Sequence, residues 1–458
     1  MYPVAPEIKI FRLDIPCKTT RSVGQWIYRS RYTSVMRRIS VQVLSCLALL
    51  ISIPVLADGI SADEYKTRRA KLREANGDAV TILFGASEEA HGNIRDGFFQ
   101  EANFYYLTGW KEPGAILVLT PTEDNLLIPR RDQDEERWTG PKLGPTDAQT
   151  RVQTGFSNIY ASESFETMLP KWLESGKKIY TLAGDERADA LKQTLRNREF
   201  ADVGLPIARL RQVKSKAELK LIQRATDVTL DAHREAWRMI RPGVKEYQIA
   251  TEMAGTYFSQ GCERHAYAPI VGAGPNGAIL HYSKNRSTVD QGQLVLMDVA
   301  AECSMYASDI TRTVPAGGKF TPRQKELYEM VLGAQKAAIA AVKPGVFLRG
   351  KYAGTVHMVA TEYLNKFKDK NGKPMGEYFT HGIGHHVGLD VHDPYDETTP
   401  LATGMVVTVE PGIYLPDEGI GIRIEDVVLV TENGSKVLSS SLPVAAEEIE
   451  KFFASRKQ

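Results

Sequence analysis

The chain has 458 residues, of which 43% are hydrophobic and 25% charged, so it is long enough for two or three domains of roughly 150 residues, each with its own core. This composition excludes a disordered chain, a collagen-like repeat and a disulfide-stapled miniprotein. The formal net charge is +1, so no basic field points to nucleic acid, and we expect no nucleic-acid partner.

The first 57 residues differ in charge from the rest. They hold eight Lys/Arg and two Asp/Glu, which leaves 49 basic and 54 acidic residues in the remainder. An uncharged stretch, Ser40 to Ala57, follows an arginine pair and ends in small residues. This is the layout of a secretory signal peptide that starts at Met36, and residues 1–35 would then not be translated. We therefore expect export, to the periplasm or outside the cell, after cleavage before Asp58.

Three other interpretations of this stretch stay open. An apolar run of about 18 residues can just span a bilayer, so the stretch would also serve as an uncleaved membrane anchor. It would also fit a buried helix, or a lipoprotein signal at Cys46, although the apolar run continues well past that residue. Cleavage predicts a protein with no stable membrane partner, whereas the anchor predicts a membrane-bound one.

The cysteine count argues against a fold that depends on several disulfides and against a zinc ribbon. Cys17 and Cys46 lie in the leader, so the body keeps only Cys262 and Cys303. Two cysteines do not make a disulfide framework, and they lack the paired spacing of a zinc ribbon.

Residues 58–208 alternate between predicted strands and helices. Short continuous apolar runs predict buried strands, and charged or amphipathic stretches predict the helices. The strands are Ala79 to Phe84, Ala115 to Thr120, Leu126 to Pro129 and Lys178 to Leu182, and the helices include Glu64 to Ala75 and Phe165 to Glu174. This alternation predicts an α/β domain.

A basic segment, Arg209 to Lys216, leads into a second predicted domain, residues 209–458. We interpret the segment as a linker or as the first turn of this domain. A long helical pattern, Ala217 to Ile240, follows and ends at a Pro-Gly stop signal, as helices often do.

The second domain has two halves that match each other. The tripeptide Pro-Gly-Val occurs at Pro242 and again at Pro344, and each copy opens a helical stretch. Later in each half, a glycine precedes an apolar strand that ends in an acid, Asp298 in one and Glu410 in the other. The pattern predicts an internal duplication; chance similarity of apolar strands is the alternative.

Four carboxylates of this domain stand in apolar or turn contexts: Asp298, Asp309, Glu410 and Glu425. A buried ionised carboxylate is costly unless it is paired or binds a metal. Each one alone fits a cap, a turn residue or an arginine partner, but two per half could converge on one centre. Arg423 is a candidate partner, because it shares a strand face with Glu425.

The segment His381 to Asp393 adds imidazoles to these acids. It is not an HExxH helix, and its glycines favour a turn. Its histidines are His381, His385, His386 and His392, with His281 as a further candidate for the rim. A lone histidine is more often structural than a ligand, but this cluster beside four acids favours a metal site.

The ligand set is rich in oxygen, which suits Mn²⁺ or another octahedral divalent ion. Four acids carry too much charge for one ion, so we expect two. Such a site would hold a bridging hydroxide and polarise a carbonyl, which is the chemistry of hydrolysis.

The motifs of the second domain resemble those of aminopeptidase P, a member of the pita-bread family that includes prolidase, creatinase and methionine aminopeptidase. They are, in order, GPNGAILHYSKN, LVLMDVAAECSMYASDITRT, HGIGHHVGLDVHD, VVTVEPGIY and GIGIRIED. Phe98 to Leu119 is similar to the family's amino-terminal domain. The resemblance implies an α/β (α+β) chain in which an N-terminal creatinase-like α/β domain over 58–208 precedes a duplicated pita-bread catalytic domain over 209–458.

The resemblance also implies a role for each site residue. The implied metal ligands are Asp298, Asp309, His385, Glu410 and Glu425. Glu410 would also shuttle the proton from the nucleophile to the leaving nitrogen, while His281 and His392 would hold the substrate and the developing oxyanion. His381, Arg423 and Tyr414 would bind substrate or support this network, and His386 receives no role.

The implied activity is metal-dependent removal of an N-terminal residue that precedes proline, through a dinuclear metal-bound hydroxide. Its partners would be proline-containing peptides, and the protein would be a homo-oligomer, a dimer or a tetramer. The alternatives are a prolidase specific for Xaa-Pro dipeptides, a creatinase-like hydrolase without the metal pair, and a non-enzymatic metal-binding scaffold. A prolidase needs a cation for the free carboxylate of its dipeptide. The short loop Leu415 to Ile422 offers none, so we expect longer peptides to be preferred.

Overall fold

The first part of the described chain folds around a six-stranded mixed sheet. The structure is a computed structural model, and it describes residues 59–87, 97–176 and 178–456. The strand order is β4-β3-β2-β1-β5-β6. The strands are β1 (Val80–Phe84), β2 (Ile116–Leu119), β3 (Asp124–Ile128), β4 (Asn158–Ala161), β5 (Lys178–Thr181) and β6 (Glu199–Asp202).

Both faces of this sheet are covered. The helices of this part are α1 (Ala62–Asn76), α2 (Ala102–Thr108), α3 (Gln133–Thr139), α4 (Ala148–Thr154), α5 (Phe165–Glu174), α6 (Glu186–Thr194) and α7 (Gly204–Arg211). Leu83 of β1 belongs to the main core, whereas its neighbours Ile82 and Phe84 pack with α5 and α6, because successive side chains of a strand point to opposite faces. Burial on both faces explains the continuous apolar runs and confirms the predicted α/β organisation.

The described residues begin after the predicted leader. Residues 1–58 lie outside them, so the interpretations as signal peptide, membrane anchor and start site stay predictions. Among the helices that the structure does describe, none is both long and apolar enough to cross a membrane.

The long helix α8 (Lys216–Met239) opens the second part. The Ser215 hydroxyl accepts a hydrogen bond from the Glu218 amide at 3.2 Å, and the Glu218 carboxylate accepts one from the Ser215 amide at 2.9 Å. This capping box fixes the start of the helix. The preceding basic segment is not an exposed linker, because Arg211 and Lys214 are buried. The described residues form one compact unit, so the boundary between 208 and 209 stays a prediction.

The second part consists of two halves of similar construction, in agreement with the predicted duplication. After α8, the first half contains α9 (Glu246–Ser259), β7 (Arg264–His265), β8 (Ile270–Ala273), β9 (Leu294–Asp298), β10 (Ala301–Cys303), β11 (Tyr306–Ala307) and β12 (Thr311–Pro315). The second half contains α10 (Pro322–Ala341), α11 (Val356–Leu364), β13 (Val406–Val409), β14 (Gly412–Leu415), β15 (Ile420–Arg423), β16 (Asp426–Thr431), β17 (Gly434–Val437) and α12 (Ala446–Ala454). The main sheets have the orders β12-β9-β8 and β13-β16-β17.

Strand register brings the ends of the two halves together. In the first half, Asp298 of β9 lies opposite Thr311 of β12. In the second half, Val409 of β13 lies opposite Asp426 of β16. The halves join where the Glu425 amide donates to the Thr311 carbonyl at 3.1 Å. The acids that end or follow these strands therefore meet at the seam between the halves.

The second half departs from the first near its Pro-Gly-Val motif. The motif predicted a helix that begins at Pro344, and this was wrong, because α11 begins at Val356 with Thr355 as its N-cap. Gly350 and Gly354 adopt positive φ angles of 110° and 68°, which a helix does not allow. The motif marks a turn, and a loop separates that turn from the helix.

The two cysteines of the body form a disulfide, Cys262–Cys303. β7 pairs with β10 so that Arg264 lies opposite Glu302, which brings the flanking cysteines together. Both are buried. The cysteine count did not reveal this bond, because its partners are 41 residues apart in sequence and meet only through strand pairing. Closing a loop of this size stabilises a folded protein by about 2–4 kcal/mol.

Candidate metal centre and active site

Five side chains from separate segments converge at the seam between the two halves. They are Asp298 at the end of β9, Asp309 before β12, His385, Glu410 directly after β13, and Glu425 directly before β16. Their potential ligand atoms form overlapping groups in which all atoms lie within 4.8 Å of one another. One group is Asp298, Asp309 and Glu425, another is His385, Glu410 and Glu425, and a third is Asp309, His385 and His392. The structure thus brings together all five residues that the sequence motifs singled out as ligands.

Electrostatics at this centre favour a bound cation. Burial raises the pKa of Asp309, and the Asp298 carboxylate raises it further. Burial also raises the pKa of Glu410 to about 7. The pKa of Glu425 lies well above its usual range because of burial, then because of Asp309 and Glu410. Divalent cations bind the ionised forms of such acids, so they would offset the free-energy cost of ionising several carboxyl groups close together in a buried site. The donors, four carboxylates and one imidazole, fit such ions.

His385 is oriented so that one ring nitrogen faces the acids. Its Nδ1 lies 3.0 Å from the His386 carbonyl, to which it can only donate. This leaves Nε2 directed at the centre, 3.3 Å from Asp309 and 3.7 Å from Glu410. Burial opposes the charged ring, but the hydrogen bond to Asp309 and the charges of both acids raise the pKa of His385 to about 9. A second interaction that fixes the tautomer is typical of histidine ligands.

A glycine lets the His385 segment approach the neighbouring strand. A Cβ atom on Gly384 would lie 2.1 Å from the Thr408 carbonyl oxygen, which no side chain tolerates. The close approach allows the His385 amide to donate to the Thr408 hydroxyl at 3.1 Å. The same hydroxyl donates to Glu410 at 3.2 Å, so one threonine positions two of the five side chains.

Three hydroxyl-bearing residues around the acids were not found by sequence reasoning. Thr408 is one, and Thr311 is the second, since its hydroxyl donates to Glu425 at 2.6 Å. The third is Tyr267, whose hydroxyl lies 2.5 Å from both Asp298 and Asp309. A phenol has one proton, so Tyr267 can donate to only one of these carboxylates at a time. No local pattern around this tyrosine signals its position.

Arg423, Tyr414 and His381 form a chain that leads away from the acids. Arg423 pairs with Asp298 through one nitrogen and donates to the Tyr414 hydroxyl through another at 2.8 Å. That hydroxyl lies 2.8 Å from His381 Nε2, while His381 Nδ1 lies 2.8 Å from the Gly382 carbonyl. Burial and then the Arg423 charge lower the pKa of His381 to about 4. The ring is therefore neutral at pH 7, with Nε2 as the acceptor from Tyr414.

His281 and His392 stand at the rim of the centre. Both are exposed, and the His392 ring centroid lies 3.9 Å from that of His385. Both line a cavity of about 790 Å³ that also contains the five ligand candidates. Apolar side chains complete its wall: Ile270, Leu280, Val391 and Pro394. The cavity thus combines a polar floor with an apolar side, as small-molecule sites usually do.

Two buried cations anchor the loop that carries His392. The neighbouring Asp393 accepts from Arg211 at 2.6 Å and from Lys214 at 3.0 Å. Arg211 also reaches Asp390 at 2.7 Å and donates to Asn103, in the first part of the chain, at 2.7 Å. Burial disfavours the charge of Asp393, yet the two cations lower its pKa. The basic segment that the sequence suggested as a linker therefore fixes one wall of the site.

The loop that carries His281 is anchored by a carboxylate that sequence reasoning missed. Glu246, on α9, is fully buried. Its carboxylate accepts from the amides of Ala273 and Ser287 at 2.9 and 2.8 Å, and from the side chains of Asn276 and Tyr282 at 2.8 and 2.9 Å. Four donors satisfy the buried charge, and the segment on both sides of His281 is held to one helix.

Glu246→Gln should loosen this loop while leaving the metal ligands in place. The amide group offers one acceptor oxygen where the carboxylate offers two, so we expect a loss of about 2–4 kcal/mol in the free energy of unfolding and a fall in kcat/KM at unchanged metal content. Urea unfolding, elemental analysis and peptide hydrolysis measure the three quantities. Glu252→Gln, at an exposed position of the same helix, is the matched control. Equal stability and activity of the two variants would contradict the anchoring role.

Three further histidines and the loop Leu415 to Ile422 lie away from the cavity. His233, on α8, contacts the Ile310 carbonyl at 3.2 Å, and His265 and His357 pack against aromatic rings; His91 lies outside the described residues. The loop Leu415 to Ile422 contributes no residue to the cavity wall. Its two acids, Asp417 and Glu418, are exposed turn residues, so they do not oppose a carboxylate in the site.

Two sequence-family models match the chain. The model described as "Metallopeptidase family M24" matches residues 220–432, which include the five ligand candidates. The model described as "Aminopeptidase P, N-terminal domain" matches residues 65–180. The order of the two matches is that of the predicted domains.

Relatives and solved structures agree with this assignment. An "Xaa-Pro aminopeptidase" of Haemophilus influenzae is 34% identical over 85% of this chain and 96% of its own, and one of Escherichia coli is 33% identical over 87% and 99%. A putative aminopeptidase P from Bacillus anthracis has a TM-score of 0.80 at 30% identity, over 87% of this chain and 99% of its own. E. coli aminopeptidase P with the inhibitor Pro-Leu has a TM-score of 0.77 at 32% identity, over 87% and 100%. The chain therefore belongs to the aminopeptidase P branch of the M24 metallopeptidases and is a metallo-exopeptidase with the pita-bread fold.

Proposed function

We propose that this enzyme removes the N-terminal residue of peptides whose second residue is proline, with two divalent ions, Mn²⁺ in the cell. The observation that carries the proposal is a pair of overlapping ligand groups, in which Glu425 belongs both to the group of Asp298 and Asp309 and to the group of His385 and Glu410. The shared acid supports two adjacent ions rather than one. The relatives that carry the name Xaa-Pro aminopeptidase support the substrate class.

The residues of the site have different roles in the reaction. Two divalent ions held by Asp298, Asp309, His385, Glu410 and Glu425 would supply Lewis acidity towards the carbonyl and would lower the pKa of water. Glu410 accepts the proton of the attacking water and returns it to the leaving nitrogen, a task for a carboxylate beside the reacting atoms. His281 and His392, at the rim, hold the substrate carbonyl and the negative charge that develops on its oxygen. Burial and the Arg423 charge keep His381 neutral, and its contact with the Tyr414 hydroxyl fixes the ring in the wall.

The cavity suits a proline after the scissile bond. An Xaa-Pro bond is a tertiary amide with no N–H to donate, and the ring fixes φ near −65°. Binding such a residue calls for shape and apolar contact more than for a hydrogen-bond acceptor. Ile270, Leu280, Val391 and Pro394 provide apolar contacts in the cavity wall.

An assay with matched peptides tests this function. We expect chelation to abolish hydrolysis and Mn²⁺ to restore it. We also expect kcat/KM for an Xaa-Pro-Xaa tripeptide to exceed that for the corresponding Xaa-Pro dipeptide, because the loop Leu415 to Ile422 supplies no cation to the cavity. The reverse order at the same pH and metal would move the assignment to prolidase. A metal-loaded preparation that cleaves neither peptide would favour the non-enzymatic scaffold.

We propose that the protein is exported. The leader pattern supports this, and so does the buried disulfide Cys262–Cys303, since structural disulfides persist in oxidising compartments. N-terminal sequencing of the protein from its native cell should begin at Asp58, and mass spectrometry should find the disulfide closed. An intact Met1 in a cytosolic fraction, with both thiols reduced, would contradict export.

We also propose a homo-oligomer, a dimer or a tetramer. Helix α3 has no buried residue, and Trp138 on this helix is 90% exposed. A tryptophan left in water on an uncovered helix favours a contact with another chain. Sedimentation velocity should show a dimer or tetramer that Trp138→Gln weakens, and a monomer at micromolar concentration would contradict the proposal.

A further inference from the structure

Arg349 lies where the active-site cavity meets a second cavity. The second cavity has a volume of about 550 Å³, and the loop between α10 and α11 forms one of its walls. Arg349 and Tyr395 belong to the walls of both cavities. A peptide that extends beyond the scissile bond towards the second cavity would pass these two side chains.

The guanidinium of Arg349 is held by neutral partners. Its Nε donates to the Tyr395 hydroxyl at 3.2 Å, and the Tyr395 ring stacks on His386 with centroids 4.3 Å apart. A Cβ atom on Gly382 would lie 3.1 Å from Arg349 Nη1, so the guanidinium rests against the residue that follows His381. Among the described residues, Arg349 makes a hydrogen bond through Nε alone, which leaves the four N–H groups of its other two nitrogens for a ligand.

Arg349 also lacks a counter-ion. Two arginines line the active-site cavity, Arg423 and Arg349. Arg423 pairs with Asp298, whereas no acid of the described residues forms an ion pair with Arg349. Glu397 lines the second cavity without pairing with it. An unpaired guanidinium at the edge of a substrate cavity is a recognition group for carboxylates, which it binds in a fork geometry.

We propose that Arg349 binds a substrate carboxylate located after the proline, either the C-terminal carboxylate of a short peptide or an acidic side chain. The inference rests on the proposed function and adds a specificity determinant to it.

The test compares peptides that differ only in this charge. Three substrate pairs are assayed with Mn²⁺: Ala-Pro-Ala against its C-terminal amide, Ala-Pro-Glu-amide against Ala-Pro-Gln-amide, and Ala-Pro against Ala-Pro-amide. For each pair, the ratio of kcat/KM (acid over neutral) is measured in the unchanged protein, in Arg349→Met, in Arg349→Lys and in Lys351→Met. Lys351 is the matched control, because it lines the second cavity but not the active-site cavity.

We expect the ratio for the Ala-Pro-Ala pair, the glutamate pair or both to fall about 10-fold in Arg349→Met, the loss of one charge-assisted contact, to recover in part in Arg349→Lys, and to stay unchanged in Lys351→Met. The pair that responds identifies the carboxylate, whereas a response of the dipeptide pair alone would place the bound carboxylate on the proline itself and overturn the inference. Unchanged ratios for all three pairs in Arg349→Met would overturn the inference while the proposed function stands. Absence of hydrolysis of every peptide by the unchanged protein would contradict the proposed function itself.

Discussion

Asp309→Asn and Glu425→Gln should each abolish metal binding and peptide hydrolysis together. Each of these acids belongs to two of the three overlapping ligand groups, so replacing one with an amide would remove a charged donor from two of the groups that could hold an ion. We expect kcat/KM to fall about 10³-fold or more, beyond the 10- to 100-fold loss that is typical of residues that only orient a ligand. Elemental analysis and calorimetric titration with Mn²⁺ measure binding, and hydrolysis of an Xaa-Pro-Xaa peptide measures activity.

The same variants carry a readout that does not depend on activity. In the metal-free protein the pKa of Glu425 is raised, mainly by burial, so the unfolded chain gains ionisation free energy that the folded protein does not, and stability falls as the pH rises from the pKa of an unfolded glutamate towards that of Glu425 in the fold. Metal-free Glu425→Gln should therefore unfold at a higher temperature than the metal-free unchanged protein at pH 7. Saturating Mn²⁺ should reverse the order, because only the unchanged protein gains the binding energy.

Asp417→Asn is the control for both measurements. Asp417 is an exposed turn residue outside the cavity wall, so this variant removes one carboxylate without touching the centre. Two results would refute the metal assignment. One is full activity of the unsubstituted protein in a preparation shown to be free of metal, and the other is the binding of two ions per chain by Glu425→Gln.

The sequence predicts the parts of this fold that depend on local pattern. Apolar runs of four to six residues mark strands such as β1 and β9, and an acid at the end of such a run marks the end of the strand. The ordered motifs add the ligand types, which is why the five converging residues could all be named beforehand. Each of these inferences uses a segment of at most 22 residues, and the resemblance of the motifs to those of aminopeptidase P is what singles out His385 among the four histidines of its segment.

What the sequence does not predict depends on contacts between distant segments. Tyr267 reaches two aspartates that lie 31 and 42 residues further along the chain, and Arg211 binds Asp393 across 182 residues. Nothing in the neighbourhood of either residue encodes its partner, because tertiary packing alone brings them together. The same holds for the disulfide, for Glu246, and for Arg349, whose loop the repeated Pro-Gly-Val motif suggested to be a helix.

His392→Ala should retain both ions while kcat falls by about 10² to 10⁴, the usual cost of removing a positioned acid–base group or an oxyanion donor. The geometry alone would admit another role, since His392 joins Asp309 and His385 in a group with ligand spacing. Two observations favour action on the substrate. The side chain is exposed at the cavity rim, and Arg211 and Lys214 anchor the adjacent Asp393, which fixes the ring in position without help from a metal.

The measurement that decides between these roles is the metal content of His392→Ala beside its kinetics. A substrate role predicts two ions per chain, a lowered kcat and a fold as stable as that of the control His357→Gln, whose imidazole packs against Phe379 away from the cavity. A ligand role predicts the loss of one ion together with activity that excess Mn²⁺ restores, because a weakened site can be refilled by mass action whereas a missing substrate contact cannot. Restoration by Mn²⁺ would therefore assign His392 to the metal centre and leave His281 as the only rim histidine that acts on the substrate.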